Sequence, residues 1–160
     1  MPTRRYTNKP FPSYRYLPGR TSHPIRDPKG HAYGKVTTPI HLGASEEAGR
    51  HPDFLFGVDL FNAGYYWEAH EAWEGVWKAL PPSCEESICL QGLIQVSAGL
   101  LKKVVAETEG SRQLISKGLE KLKVAQGRRP NCLGLDFVPF ITALEKAEPD
   151  LLEIFLRLSI

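Results

Sequence analysis

The segment Trp67–Glu74, with the sequence WEAHEAWE, holds the densest group of side chains in this chain that could carry out chemistry. His70 and Glu74 are four residues apart, so on a helix they would share one face, and Glu71 directly follows the histidine. The string HEAWE has the outline of the zinc motif HExxH, with glutamate in place of the last histidine. This spacing would suit a transition metal held by His70 and Glu74, with Glu71 as the general base of a metal-dependent hydrolase.

Two other interpretations of His70, both preferred to the metal centre, need no metal: a structural histidine that hydrogen-bonds a glutamate or a backbone carbonyl, and a residue of a pocket for a small molecule or a peptide. Gln91 and Gln95, also four residues apart, would satisfy buried polar groups if they faced His70, and the same arrangement would line that pocket. A metal site would need a further ligand, which His23 or His31 could supply from the N-terminal region. The candidate pocket consists of Trp67, Glu68, His70, Glu71, Glu74, Gln91 and Gln95.

Helices must position these side chains, because apolar residues recur every three or four positions from Pro52 onward and no segment alternates like a strand. We predict a first helix from Phe54 to a stop at Asn62-Ala63-Gly64 and a second from Tyr65 to Leu80. A third should begin at a capping box, Ser83-Cys84-Glu85-Glu86, and end at about Thr108. Three more should run from Gly110 to about Gly127, from Asp136 to Ala147, and from Pro149 onward. Gly64 is expected to have a positive φ. The predicted fold class is all-α, a compact bundle of about five to six helices built from two helical hairpins.

One face of the predicted helix Tyr65–Leu80 should point into the core. Its members on a helical wheel are Tyr66, Ala69, Trp73, Val76, Trp77 and Leu80. We predict that Trp73 and Trp77 are core residues and that Glu68 and Glu71 lie away from this face. The order of small and large residues after Gly64 is similar to that of a tetratricopeptide hairpin.

Positive charge is concentrated at the N-terminal end of the chain. Residues 1–35 contain eight lysines and arginines and one acid, a formal charge of +7, whereas the remaining residues contain 12 basic and 17 acidic side chains, a charge of −5. Six prolines in the same 35 residues disfavour a helix or a central strand there. We therefore divide the chain into a basic N-terminal arm and connector, residues 1–50, and a helical domain, residues 51–160.

Five aromatic residues in this arm would each bury ~150–250 Å² on a suitable surface, so we predict that the arm docks on its own body or on a second subunit. Residues Phe11 to Tyr33 should lie against the acidic body, with Tyr14, Tyr16 and Tyr33 partly buried. The expected contacts join Arg15, Arg20 or Arg26 to the face that contains Glu68, Glu71 and Glu74. Aromatic residues between arginines could also bind single-stranded nucleic acid, which is less favoured because the acidic body would repel it.

Composition excludes several classes of protein. The apolar share of 42% and the charged share of 24% are ordinary for one globular domain of 160 residues. No run reaches the ~18 apolar residues of a membrane span, and the first residues lack the apolar stretch of a secretory signal. Three cysteines without a CxxC pair indicate reduced thiols, so we expect a cytoplasmic protein without membrane contact.

Three strings of this sequence, LFNAGYYWEAHEAWEGVW, LQGLIQVSAGLLK and EGSRQLISKGLEKL, resemble in order and spacing the signatures of the domain of unknown function 309 (DUF309). The resemblance covers roughly Asp53 to Leu144 and implies a small cytosolic helical bundle with no established activity. The proline-rich and arginine-rich arm is an addition to the minimal domain. The family's characteristic polar positions would be Asn62, Gly64, Glu68, His70, Glu71, Gln91, Gly92 and Gln95.

These observations favour a binding or interaction domain whose polar Glu-His-Glu seam recognises a small ligand or a partner segment. No nucleophile–base pair or phosphate-binding loop is recognisable, so we expect a protein that is not an enzyme and carries no cofactor. The first alternative is the metal-dependent hydrolase that uses His70, Glu71 and Glu74. The second is nucleic-acid contact through the basic arm, and the chain could also form a homo-oligomer.

Overall fold

A computed structural model describes residues 4–43, 45–146 and 154–159 of the chain. These residues form five α-helices, in agreement with the helical period of the sequence. The helices are α1 (Pro52–Asn62), α2 (Tyr66–Lys78), α3 (Glu85–Val104), α4 (Thr108–Arg128) and α5 (Phe137–Leu144). Two short 3₁₀ helices span Ser45–Arg50 and Cys132–Gly134. Over the described residues the only β-type pairing is an isolated antiparallel bridge between Leu135 and Leu158. The prediction of an all-α bundle is confirmed.

Local signals set both ends of α1. The ring nitrogen Nδ1 of His51 accepts a hydrogen bond from the backbone N–H of Asp53, and a proline occupies the first helical position. The helix ends at Asn62, and Gly64 follows with φ = 79°, a conformation that only glycine adopts without strain. The predicted helix stop and the predicted positive φ of Gly64 are confirmed.

The start of α3 differs by one residue from the predicted capping box. Cys84, not Ser83, is the N-cap, and its Sγ accepts the backbone N–H of Ser87 at 3.4 Å. Ser83 instead has φ = 66° and belongs to the turn that follows α2. The helix ends at Val104, before the predicted Thr108, because Ala106 has φ = 64° and breaks the helical path.

The C-terminal part of the fold confirms one predicted cap and corrects one predicted helix. Asp136 caps α5, its Oδ1 accepting the backbone N–H of Val138 at 3.3 Å. The helix ends at Leu144, so the predicted end at Ala147 is wrong; Ala147 itself and the predicted helix start at Pro149 lie outside the described residues. Residues 154–159 are extended rather than helical, because their backbone pairs with the segment around Leu135; the N–H of Ser159, for example, donates to the carbonyl of Gly134 at 2.8 Å.

Neighbouring helices in the chain pack in series, with α1 on α2, α2 on α3 and α3 on α4. The last pair approaches most closely at two glycines, since a Cβ built at Gly118 would lie only 2.7 Å from the carbonyl oxygen of Gly92. Between α2 and α3, the hydroxyl of Ser97 donates to the carbonyl of Tyr66 at 2.7 Å. These contacts fix how far each helix is displaced along its neighbour.

Trp73 of α2 is the largest side chain at the centre of the core, with 0% exposure. Its Nε1–H donates to the carbonyl oxygen of Phe54 at 3.2 Å, and its ring packs on Phe61 with the centroids 5.6 Å apart. Trp77 is only half-buried and packs against the edge of the same core. The prediction of a core position is therefore confirmed for Trp73. Trp77 is less buried than predicted and lies at the end of the buried face of α2.

We predict that Trp73→Ala destabilises the protein by about 3–5 kcal/mol, because it leaves a cavity and removes the hydrogen bond to Phe54. Chemical denaturation monitored by circular dichroism measures this loss. Trp77→Ala is the matched control and should lose less, since part of its ring is already in water. Equal losses for the two variants would contradict the assignment of Trp73 as the core residue.

We also predict that Gly118→Ala lowers stability by about 1–3 kcal/mol, because the added methyl group overlaps the backbone of α3. Gly127→Ala on the same helix is the control, since a Cβ there meets nothing within 4 Å. That control should be neutral or stabilising by roughly 0.5–1 kcal/mol. The melting temperatures of both variants, measured by thermal shift, test this prediction. A melting temperature of Gly118→Ala equal to or above that of the parent would contradict this packing.

Candidate functional site

The arm, residues 4–43, is held on the helical body first by Asp59 of α1. The Asp59 side chain is fully buried, and its Oδ1 accepts the backbone N–H of Tyr6 at 2.7 Å. Its Oδ2 accepts the backbone N–H of Thr7 at 2.9 Å and the Thr7 hydroxyl at 2.6 Å. The guanidinium of Arg5 lies 3.6 Å from the same oxygen. Because a buried carboxylate is costly unless its oxygens are hydrogen-bonded, these partners explain how Asp59 stays buried.

Aromatic contacts hold the next part of the arm. The ring of Phe11 stacks on Tyr65 at a centroid distance of 5.2 Å and on Phe56 at 6.3 Å. The Tyr65 hydroxyl donates to the carbonyl oxygen of Pro12 at 3.3 Å, and the Arg5 guanidinium lies 4.1 Å above the centre of the Phe11 ring. This part of the arm therefore follows the corner between α1 and α2.

Glu68 of α2 forms the second polar contact with the arm. Its Oε1 accepts the backbone N–H of Tyr16 at 2.8 Å and lies 2.9 Å from Nε2 of His31. The side chains of Glu68 and His31 are only 4% and 9% exposed. The second oxygen of Glu68, Oε2, is buried and has no hydrogen-bond partner.

Trp67 lies beside Glu68 and is surrounded by three rings of the arm. The ring centroids of Tyr16, His23 and His31 lie 5.5, 5.7 and 6.4 Å from that of Trp67, all in edge-to-face arrangements. Such pairs contribute about 0.5–1.5 kcal/mol each beyond the area that they bury. The arm docks on the body of its own chain, which is one of the two predicted arrangements.

The contacts of the arm differ from those that we predicted. Tyr14 and Tyr16 are partly buried as expected, whereas Tyr33 is 52% exposed. Over the residues that the structure describes, Arg15, Arg20 and Arg26 form no ion pair with Glu68, Glu71 or Glu74. The partners of Glu68 are a backbone amide and a histidine instead, because the extended arm turns its N–H groups toward α2.

Two features of this site were not identified from the sequence. Glu68 was placed away from the buried face of α2, and it is buried on the opposite side, under the arm. Asp59 was not singled out at all. Its signal was present, since it is the one charged side chain within the apolar run FGVDLF of α1, where an acid must be paired.

The other candidate residues are not covered by these arm contacts. His70 Nδ1 lies 3.3 Å from Glu71 Oε1, and Glu74 Oε2 lies 3.3 Å from the ammonium of Lys78. The His70–Glu71 pair is within ion-pair distance but does not form a hydrogen bond, so His70 Nδ1, like Gln95 Oε1, is a buried atom without a hydrogen-bond partner. The arm thus contacts the Trp67–Glu68 part of the predicted pocket, and a pocket formed by His70, Gln91 and Gln95 stays a prediction.

Among the described side chains, no group of three or more histidines, cysteines and acids could hold a metal ion. The metal centre of His70, Glu71 and Glu74 therefore gains no further ligand and stays a prediction. No described helix is both long enough and apolar enough to cross a membrane.

The three cysteines are free thiols. Burial raises the pKa of the Cys89 thiol well above its ordinary value, and the neighbouring Cys132 adds to this effect. Burial also raises the pKa of the Cys84 thiol. Since the thiolate is the nucleophile, these pKa shifts disfavour a catalytic role for Cys84 or Cys89.

Among the described residues, one cleft opens beside the candidate site and another on a different part of the surface. The first, of about 170 Å³, lies beside the Asp59 contact and is lined by Arg4, Arg5, Phe11, Asp59, Asn62 and Ala63. The second, of about 220 Å³, is lined by Gly49, Arg50, Glu86, Arg129, Asn131, Leu133 and Gly134. Both are smaller than the ~300–1,000 Å³ of an ordinary small-molecule site, so neither changes the choice of the α1–α2 surface as the candidate site.

Comparison with known families gives one match. The family model described as domain of unknown function (DUF309) matches residues 54–114, which contain α1, α2, α3 and the beginning of α4. This match is shorter than the range of the resemblance seen in the sequence. No curated protein and no solved structure matches the chain.

We predict that Asp59→Asn destabilises the docked arm by about 1–3 kcal/mol, because an amide cannot accept on both sides and leaves an arm N–H unpaired. Asp53→Asn is the matched control on the same helix, since Asp53 is part-exposed and contacts only Lys9 of the arm, at 3.5 Å. Hydrogen exchange at the amides of Tyr6 and Thr7 measures the effect. Equal protection of these amides in both variants would contradict the role of Asp59.

Proposed function

We propose that the surface formed by α1 and α2 is a binding site for an extended, aromatic-rich polypeptide segment. The DUF309 family model that matches residues 54–114 describes a domain of unknown function, so the proposal rests on the contacts of this surface. The arm of the same chain is its occupant here. The observation that carries this proposal is that two buried carboxylates, Asp59 and Glu68, accept backbone N–H groups of the arm.

Backbone recognition by a carboxylate suits an extended segment of any sequence. A strand or helix has already paired most of its N–H groups, whereas an extended segment rich in proline leaves them unpaired. Asp59 and Glu68 accept such groups at residues 6, 7 and 16 of the arm, so the two contacts hold the segment near both ends of the corner between α1 and α2. The backbone contacts fix the position of the segment, and the Thr7 hydroxyl on Asp59 and the His31 ring on Glu68 add contacts to its side chains.

Aromatic contacts supply both selectivity and most of the binding energy. Phe11 occupies the surface between Phe56 and Tyr65, and Tyr16 lies against Trp67. Exposed ion pairs contribute only ~0–1 kcal/mol each, whereas a buried aromatic side chain contributes roughly 1.5–3 kcal/mol. A competing segment would therefore need aromatic residues at a spacing similar to that of Phe11 and Tyr16.

The chemistry of the two carboxylates also favours reversible binding. When the arm leaves, Asp59 and Glu68 regain water as their hydrogen-bond partner, so the bare surface keeps no unpaired buried charge. The residues from Thr37 to Pro39 are exposed and lie outside any helix or turn, so this linker does not hold the arm in place. The small-ligand alternative would use the part of α2 around His70 and stays a prediction.

The test starts from the full chain with a site-specific protease site inserted after Val36. After cleavage, we expect the fragment that contains residues 1–36 to co-elute with the helical body in gel filtration, because the contacts of Asp59, Phe11 and Glu68 remain. A labelled synthetic arm peptide should then exchange with the bound fragment. Immediate separation of the two fragments, with a body that stays folded by circular dichroism, would contradict the proposal.

We predict that Glu68→Gln weakens retention of the cleaved arm by at least about tenfold, because the charge-assisted hydrogen bonds from Tyr16 and His31 lose the carboxylate. Glu71→Gln is the matched control, because it removes the same charge from the same helix. Glu71 contacts His70 rather than the arm. If both variants released the arm equally, the effect would come from the general charge of α2, and recognition by Glu68 would be wrong.

A further inference from the structure

The arm contains a closed loop, residues 17–36, which we call the arm loop. The Tyr14 hydroxyl closes it by donating to the carbonyl of Ser22 at 2.9 Å and accepting the backbone N–H of His31 at 3.2 Å. Within the loop, the N–H of Ala32 donates to the carbonyl of Pro24 at 3.0 Å. Internal bonds of this kind give the loop a defined shape even though it has no helix or strand.

The apolar residues of the arm loop divide between two sides. Pro24 is buried, and the rings of His23 and His31 contact Trp67 of the body. Five large hydrophobic side chains are exposed in the described part of the chain, and three of them belong to this loop. These three are Ile25 at 48%, Tyr33 at 52% and Val36 at 92%. The loop therefore carries apolar side chains that its docking on the body does not use.

The positive charges of the arm divide in the same way. Arg5 and Lys9, which precede the loop, face Asp59 and Asp53 of the body. In the described structure, the exposed cations of the loop form no ion pair with an acid; they are Arg20, Arg26, Lys29 and Lys35. The one acid of the loop, Asp27, accepts the backbone N–H of Lys29 at 2.9 Å. The loop thus has a local excess of unpaired positive charge.

Contrary to the expectation from the sequence that the protein makes no membrane contact, we propose that the arm loop is a peripheral docking surface for an anionic lipid membrane. Its cations would bind the charged headgroups, and its exposed apolar side chains would enter the headgroup region. The two contributions add, so the loop would bind an anionic surface more strongly than either its cations or its apolar side chains alone. The partner follows from the side chains: a single-stranded nucleic acid requires rings on which bases stack, and only Tyr33 offers an exposed ring, whereas aliphatic Ile25 and Val36 suit lipid.

The test is co-sedimentation of the full chain with vesicles of phosphatidylcholine, prepared with and without phosphatidylserine. We expect binding to the vesicles that contain phosphatidylserine, a decrease as salt is added, and little binding to phosphatidylcholine alone. The triple variant Arg20→Ser/Arg26→Ser/Lys29→Ser should lower the partition coefficient on the order of a hundredfold, because each cation near an anionic surface contributes several-fold.

Two matched controls separate this surface from the general properties of the chain. Arg112→Ser/Lys117→Ser/Arg128→Ser removes the same charge from exposed positions on α4 and should leave binding within about twofold. Ile25→Ser/Val36→Ser should lower binding by roughly tenfold. Val124→Ser/Val138→Ser, which changes the two other exposed valines, should not lower it.

Equal effects of the loop and α4 triple variants would overturn the proposal, since binding would then follow net charge. Equal binding to both kinds of vesicle would also overturn it. Binding of the parent to a single-stranded RNA homopolymer but not to anionic vesicles would assign the surface to nucleic acid instead. The experiment uses the uncleaved chain and no competing peptide, so its outcome is independent of the retention of the cleaved arm.

Discussion

The organisation of this molecule depends on the burial of two carboxylates by one extended segment. Asp59 and Glu68 lie on the helices that carry the core, and both would be costly inside a protein without hydrogen-bond donors. The arm supplies those donors from its backbone, together with the rings of Phe11 and Tyr16 that exclude water around them. The acids and the arm therefore depend on each other: the acids hold the arm in place, and they stay buried only while the arm covers them.

This dependence requires that α2 is buried on two opposite faces. Trp73 directs one face into the core through its hydrogen bond to Phe54, and Ser97 holds the same helix against α3. With that orientation set, Trp67 and Glu68 emerge on the side that faces the arm. The packing of the core thus determines where the binding surface appears, and Phe56 belongs to both the core and the surface.

The accuracy of the sequence-based predictions follows from the same distinction. The spacing of apolar residues predicted the helices correctly, Gly64 predicted the end of α1, and Asp136 predicted the cap of α5. These signals act between residues that are close together in the chain. The helical wheel placed Glu68 away from the buried face because it assumes one buried face per helix. Charge counting then assigned arginine partners to the acids, because the backbone N–H groups that bind them are the same in every residue and leave no mark in a sequence. Hydrogen bonds from backbone to side chain were therefore the part that could not be predicted.

The arm links the two proposed activities, because the residues that dock it also shape its outward loop. His31 contacts Glu68 and Trp67 on one side, and its backbone N–H closes the loop through Tyr14 on the other. If a partner binds only the closed, docked loop, docking of the arm strengthens binding of the partner. By thermodynamic linkage, the partner then stabilises the docked arm by the same free energy. A competing segment on the α1–α2 surface would, by the same linkage, weaken the attachment of the loop to a membrane. The segment that contains His31 can in this way couple binding at the α1–α2 surface to attachment of the arm loop to a membrane.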